Sequence, residues 1–198
     1  MQEKSFNVVQ LDSMQIPIEL IQDQWVQQAV KDDVEYEKAE LGKPEKERWQ
    51  PGPEAPLIND YYGREAGKTA FIIGCGPSIA LAKKYLATPN PNTFTVGVNA
   101  AIQQVPCDYW FFLDLMSYAV SRKHENAAKT VPVGADRYWR HYPPEVRVWV
   151  RAHDPKDLKD GKLVNWATSL IGAMHMAVWL GAVRIVTVGC ENQIKSII

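Results

Sequence analysis

A chain of 198 residues in which 46% of the side chains are hydrophobic and 23% charged has room for one sizeable core plus an appendage, and it is too apolar to be read as disordered. Its 22 Lys and Arg against 23 Asp and Glu give a formal charge of -1, so no surplus of cations exists to displace counterions from a nucleic acid. No apolar run is long enough to span a bilayer, the start Met1-Gln2-Glu3-Lys4 leads into no signal-peptide core, and the three dispersed cysteines Cys75, Cys107 and Cys190 build neither a disulfide framework nor a zinc knuckle; a cytoplasmic location is expected.

Residues 1–60 read differently from the rest. Ile18, Ile21, Trp25, Ala29 and Val34 fall near helical spacing among Gln, Asp and Lys, which predicts an amphipathic helix from about Pro17 to Leu41. Its apolar stripe needs a partner, either the main domain or a second subunit, the latter making the chain a homo-oligomer through this helix. The Pro- and charge-rich stretch from Gly42 to Pro56 cannot continue a helix and reads as an extended linker. The core domain is expected over 67–198.

That domain opens on the most informative stretch of the chain, Phe71-Ile72-Ile73-Gly74-Cys75-Gly76-Pro77-Ser78. An apolar strand over Thr69–Ile73 enters a glycine turn, Pro77 suits the first turn of a helix, and Ile79 to Leu86 are good helix formers. A strand, tight turn and helix present free N–H groups and the positive end of the helix dipole to an anion. A ligand-free β-to-α turn, with Ser78 as a local helix-start hydroxyl, is the alternative. Ile79 stands where a dinucleotide fingerprint needs its third glycine, and Asn99 stands where an acidic residue would close the next strand, so NAD binding is not expected. Gly63 to Thr69 resembles a triphosphate loop but is one residue short between its glycines and precedes the strand instead of following it.

Further strands are predicted over Thr93–Val98, Tyr109–Leu113, Val146–Val150 and Arg184–Val188, with a nearly all-apolar helix over Thr168–Leu180 whose Gly172, Ala173 and Ala177 permit close approach to a sheet. Continuous apolar strands alternating with helices indicate an α/β, Rossmann-like fold: a mostly parallel sheet with helices on both faces, plus the N-terminal helical extension. Ligands of such sheets sit at the carboxyl ends of the strands. There the chain collects Gly74, Gly76 and Ser78, then Asn99, then Asp114, and finally Gly189, Glu191 and Asn192.

Asn99 can read a base or sugar edge as donor and acceptor, or cap the next segment. Asp114 ends an apolar run, where a carboxylate needs solvent, a partner or a cation, and it suits Mg²⁺ brought in with phosphates. Thr168 and Ser169 either donate hydroxyls to a ligand or cap the late helix. His175 reads as a core histidine, while His141 and His153 stand in loop-like segments as candidate bases. Tyr138, Trp139 and Tyr142 beside Arg137 and Arg140 either stack a base or pack onto the domain. Cys75 is either a small core residue or a thiol activated by the helix dipole.

Gly-x-Gly-Pro-Ser at 74–78, Gly97-Val98-Asn99, Cys107-Asp108-Tyr109 leading to Asp114, Thr168-Ser169 with its small-residue helix, and the run from Gly181 to Gly189 together resemble the MptE-like family, named for a 6-hydroxymethylpterin pyrophosphokinase. The same order also resembles bacterial sialyltransferases that use CMP-sialic acid. The resemblance spans about residues 67–192. It implies a nucleotide-dependent transferase of glycosyl or pyrophosphoryl groups. The matching positions are Gly74, Gly76, Pro77, Ser78, Asn99, Thr168 and Ser169 for a CMP-type sugar nucleotide or ATP, and Asp114 as the acidic, catalytic and Mg²⁺-binding position. The chain departs from the family at Gly189-Cys190-Glu191, where Gly-x-Asp is usual. It then stops at Ile198, before the segment that carries the catalytic histidine in the sialyltransferase-like relatives. Short proteins of this pattern look phage- or prophage-encoded, which permits a role in particle assembly or host modification. The early end, the lack of an acid-base pair and the unpartnered apolar stripe favour the alternative of a non-catalytic nucleotide-binding or assembly module acting through its N-terminal helix.

Overall fold

The computed structural model describes residues 8–11, 14–17, 54–86, 88–152, 162–164 and 168–190, with Gln24, Gln27, Gln28, Lys31, Glu35, Lys38, Ala39, Gly42 and Lys43 besides. The chain divides into two units, Met1–Trp49 and Gln50–Ile198.

In the first unit β1 (Val8–Leu11) pairs antiparallel with β2 (Met14–Pro17), Val8 opposite Pro17. The helix expected from Pro17 therefore does not begin there: Pro17 ends a strand, a position where its missing N–H breaks no ladder. Gln24, Gln28, Lys31, Glu35 and Lys38 are helical and exposed. Their alternating steps of four and three are the spacing of one helix face. The apolar stripe of Ile18, Ile21, Trp25, Ala29 and Val34 lies outside the described residues.

The second unit is built on a seven-stranded sheet of β3 (Thr69–Ile73), β4 (Thr93–Val98), β5 (Tyr109–Phe111), β6 (Val131–Ala135), β7 (Arg147–Ala152), β8 (Lys162–Val164) and β9 (Arg184–Val188). The spatial order is 8-7-6-5-4-3-9 and every pair is parallel. Among the described residues three α-helices accompany it: α1 (Ile79–Leu86), α2 (Leu115–Ser121) and α3 (Ser169–Trp179). Ala70, Ile72, Ile73, Phe94, Val96, Val98, Trp110 and Phe111 are buried, as expected of strands covered on both faces.

Neighbouring residues of a strand point to opposite faces, so Trp110 and Phe111 show what covers each. Phe111 lies under α3, with Gly172 so close that an added Cβ would stand 2.7 Å from the ring, and it stacks on Trp149. Trp110 stacks on Tyr118 of α2, part of an aromatic cluster with Phe112, Tyr142 and Tyr138. Tyr138 and Tyr142 are thus core residues. The Rossmann-like α/β sheet with helices on both faces is present.

Three features differ from expectation. The strand predicted to Leu113 ends at Phe111. Strands β6 and β8 were not foreseen, β6 because Pro132 and Gly134 both argue against a central strand; Gly134 is required there, since a Cβ would meet the rings of Tyr142 and Phe112 at 2.5 and 2.7 Å. The core domain, expected from residue 67, takes in residues before it: Ile58 is wholly buried, Leu57 bridges Val148, and the N–H groups of Gly63, Glu65 and Gly67 donate to the carbonyls of Trp179, Leu180 and Gly181.

Candidate functional site at the carboxyl edge of the sheet

The chain leaves β3 toward β4 on one side, and β9 returns to pair with β3 on the other. The carboxyl ends of β3 and β9 therefore form the switch point at which open parallel sheets hold ligands. All the described strand-end candidates of β3, β4 and β9 converge there.

The Gly74–Ser78 turn is tied to the end of β9. The N–H of Gly74 donates to the Val188 carbonyl at 2.8 Å, and that of Gly76 to the Gly189 carbonyl at 2.7 Å. In return the Gly189 N–H donates to Ser78 Oγ at 2.8 Å. Gly74 and Gly189 touch backbone to backbone, for a Cβ on Gly74 would lie 2.2 Å from the Gly189 oxygen, and Gly189 has φ +67°. Two groups expected to face a phosphate are thus engaged by the neighbouring strand, and Gly74 serves a close strand approach. Pro77 is exposed in the turn before α1.

Cys75, also exposed, directs its thiol toward the Val98 carbonyl at 3.8 Å. Burial of the sulfur raises its pKa and the Ala100 N–H lowers it by less, so the thiol stays protonated at neutral pH and is not the activated nucleophile considered above.

Asn99 follows β4 in the left-handed region, φ +51°, a conformation Asn tolerates better than other side-chain-bearing residues. Its carbonyl accepts from Trp110 Nε1 at 2.8 Å, and its Nδ2 donates to Ser169 Oγ at 3.3 Å. Two residues chosen from sequence thus meet across the mouth of the sheet. Asn99 Oδ1 is buried and has no hydrogen-bond partner, which costs about 1–3 kcal/mol if nothing fills it. Exchanging the two ends of the amide leaves an N–H open instead of a carbonyl, so one valence stays unused either way.

Thr168 caps α3, its Oγ1 accepting from the Ile171 N–H at 3.3 Å. Asp114 caps α2: Oδ1 accepts from Ser117 N–H at 2.6 Å and Oδ2 from Ser117 Oγ at 2.9 Å. Both oxygens face their own helix start. Among the described residues no group of three or more His, Cys, Asp or Glu is placed to hold a metal ion. His175 Nδ1 is buried without a partner, while His153, Glu191 and Asn192 lie outside the described residues.

Asp136 escaped the sequence. It is buried, 7% exposed, directly after β6, in the same relation to its strand as Asn99 to β4. The signal, an apolar strand closing on a carboxylate, was hidden by the proline and glycine that disguised β6. In comparisons with known proteins the chain matches no family model, no curated protein and no solved structure.

Proposed function

We propose that the protein binds a nucleotide in the crevice at the carboxyl ends of β3, β4 and β9 and uses it in group transfer. The observation that carries this is the Asn99 amide, bonded to Ser169 at one end and unpaired and buried at the other. It lies beside the turn that opens α1. A base or ribose group would complete that valence, and the mouth of the turn, narrowed by β9, would face the phosphates. A CMP-type sugar nucleotide or ATP with Mg²⁺ fits this role, and the acceptor would enter from the open edge.

Thermal-shift measurements against CMP, CDP, UDP, GDP, ATP and NAD, with and without Mg²⁺, test it, since a ligand that binds only the folded chain raises the melting temperature. Asn99→Gly is the matching variant, because glycine accepts φ +51° without strain. One nucleotide should stabilise the wild type and lose that effect in Asn99→Gly. No shift at millimolar concentration, or an unchanged shift in the variant, refutes the proposal.

A second possibility is a nucleotide-binding or assembly module without chemistry, favoured by Asp114, whose two oxygens both serve its helix cap. Nucleotide binding with no turnover of a sugar nucleotide or ATP in any acceptor screen would select it.

A further inference from the structure

β9 pairs with β3 on one side, and among the described residues no strand pairs with its other edge. The Val188 carbonyl accepts from the Gly74 N–H that follows β3, and the main-chain groups of successive residues alternate in direction along a strand. Val186 therefore also turns its N–H and C=O toward β3, whereas Ile185 and Thr187 turn theirs outward. An open row of this kind is a template for a further strand. Proteins usually blunt it with proline, lysine or a bulge, but Ile185-Val186-Thr187-Val188 carries none of these, and Arg184 stands only at its start.

The side chains of β9 are incompletely covered as well. Ile185 and Thr187 register with Ala70 and Ile72, on the Phe111 face of the sheet, and Val186 and Val188 with Phe71 and Ile73, on the Trp110 face. Ala70, Ile72 and Ile73 are wholly buried, yet no residue of β9 is. A parallel strand with apolar β-branched side chains on both faces is built to be covered on both. Of the six large apolar side chains exposed among the described residues, five stand in segments that lead into or out of β3 and β9: Tyr62, Leu81, Tyr85, Val178 and Val183. Apolar surface thus concentrates at this end of the sheet, as it does at interaction surfaces.

A second copy of the chain fits this edge. Placed antiparallel about a twofold axis through Val186, it sets Ile185 of each copy opposite Thr187 of the other, so the outward groups meet in N–H to C=O bonds. Val186 then meets Val186 at the axis, and Arg184 faces Val188. The two Arg184 positions are four residues apart along the joined strands, about 13 Å, so no like charges lie opposite each other. The axis is perpendicular to the sheet, which puts α3 and its copy on one face and α1 and its copy on the other.

We propose that the protein is a homodimer joined edge to edge through β9, its sheet continuing antiparallel into that of the second copy. The joint lies within the second unit and needs no residue of Met1–Trp49.

Analytical ultracentrifugation of the full chain tests it. The wild type should be a dimer with a Kd on the order of 10 µM or tighter. Val186→Lys sets two like charges opposite each other at the axis and should weaken the dimer at least tenfold, as should Val186→Glu. An equimolar mixture of these two variants should recover dimerisation to within about tenfold of the wild type, because opposite charges then face each other. Thr187→Pro removes an N–H that faces solvent in the monomer, a position where a strand tolerates proline. It should weaken the dimer at least tenfold with an unchanged circular dichroism spectrum, and it decides the matter if the Val186 variants do not fold. A wild type that is monomeric at about 200 µM, a dimer left intact by these substitutions, or a mixture of folded variants that fails to recover overturns the proposal.

Discussion

Gly74→Ala is the most direct probe of how the switch point is held. The new methyl group would stand 2.2 Å from the Gly189 oxygen and 2.9 Å from its carbonyl carbon, so reaching ordinary contact near 3.4 Å moves backbone, not a pliable side chain, by about 1.2 Å. Overpacking of this kind costs about 1–3 kcal/mol. Opening the seam also weakens the Gly76 to Gly189 bond and the Gly189 to Ser78 bond, each worth about 1 kcal/mol net. The expected loss is about 3–5 kcal/mol, a large share of the 5–15 typical of a folded domain. Urea denaturation measures it: with a slope of about 2 kcal/mol/M the midpoint falls by roughly 1.5–2.5 M. Gly189→Ala should cost a similar amount, and the double variant clearly less than the sum, since the second methyl enters a seam already open. A loss below about 1 kcal/mol in Gly74→Ala, or strict additivity, would refute the backbone contact as the reason for these glycines.

Two further predictions follow from buried groups. Burial pushes the Cys107 thiol from about 9 up to about 12 and the Tyr118 phenol from about 10 up to about 12. Between those limits the unfolded chain releases protons that the folded chain keeps, so stability is intact below pH 9 and falls as pH rises toward 12, by up to about 1.4 kcal/mol per pH unit for each group. Cys107→Ala should flatten the decline between pH 9 and 10 in pH-dependent urea titrations, and an unchanged slope would exclude this thiol as its source. Asp114→Ala should cost about 0.5–2 kcal/mol through the lost cap of α2, read as a lower thermal midpoint at equal nucleotide-induced shift; a selective loss of Mg²⁺-dependent nucleotide binding would instead give Asp114 the metal role.

What could be foreseen was whatever a single segment decides. Thr69–Ile73, Thr93–Val98 and Arg184–Val188 were recognised to the residue because each is a continuous apolar run ended by Gly or Asn. β6 was not, because Pro132 and Gly134 look like turn residues until the rings of Phe112 and Tyr142 explain the missing Cβ. Ile58 was missed for a related reason: the prolines before it, up to Pro56, read as a linker and the core was expected only from residue 67, and only the edge of β7, reached through Leu57 and Val148, shows why it is core. At the site, polar residues at strand ends were legible, since parallel topology brings such ends together wherever they lie in the chain. Their partners were not. Ser78 is bonded to a residue 111 positions away, and Asn99 to one 70 positions away.

The same absence of a Cβ serves two different neighbours, and the choice between them moves the proposed binding group. A glycine turn admits a phosphate or an adjoining strand, and here β9 occupies the place beside Gly74 and takes the N–H of Gly76. Gly76→Val would therefore disturb the seam and any ligand together, and a lost nucleotide response in that variant would not say which had failed. Asn99→Gly separates the two: it removes a side-chain amide with an open, buried valence while keeping both the φ of +51° and the backbone carbonyl that holds Trp110. Unaltered urea stability with an abolished nucleotide shift in that variant would locate recognition at the end of β4, and leave the glycine turn the task of joining β3 to β9.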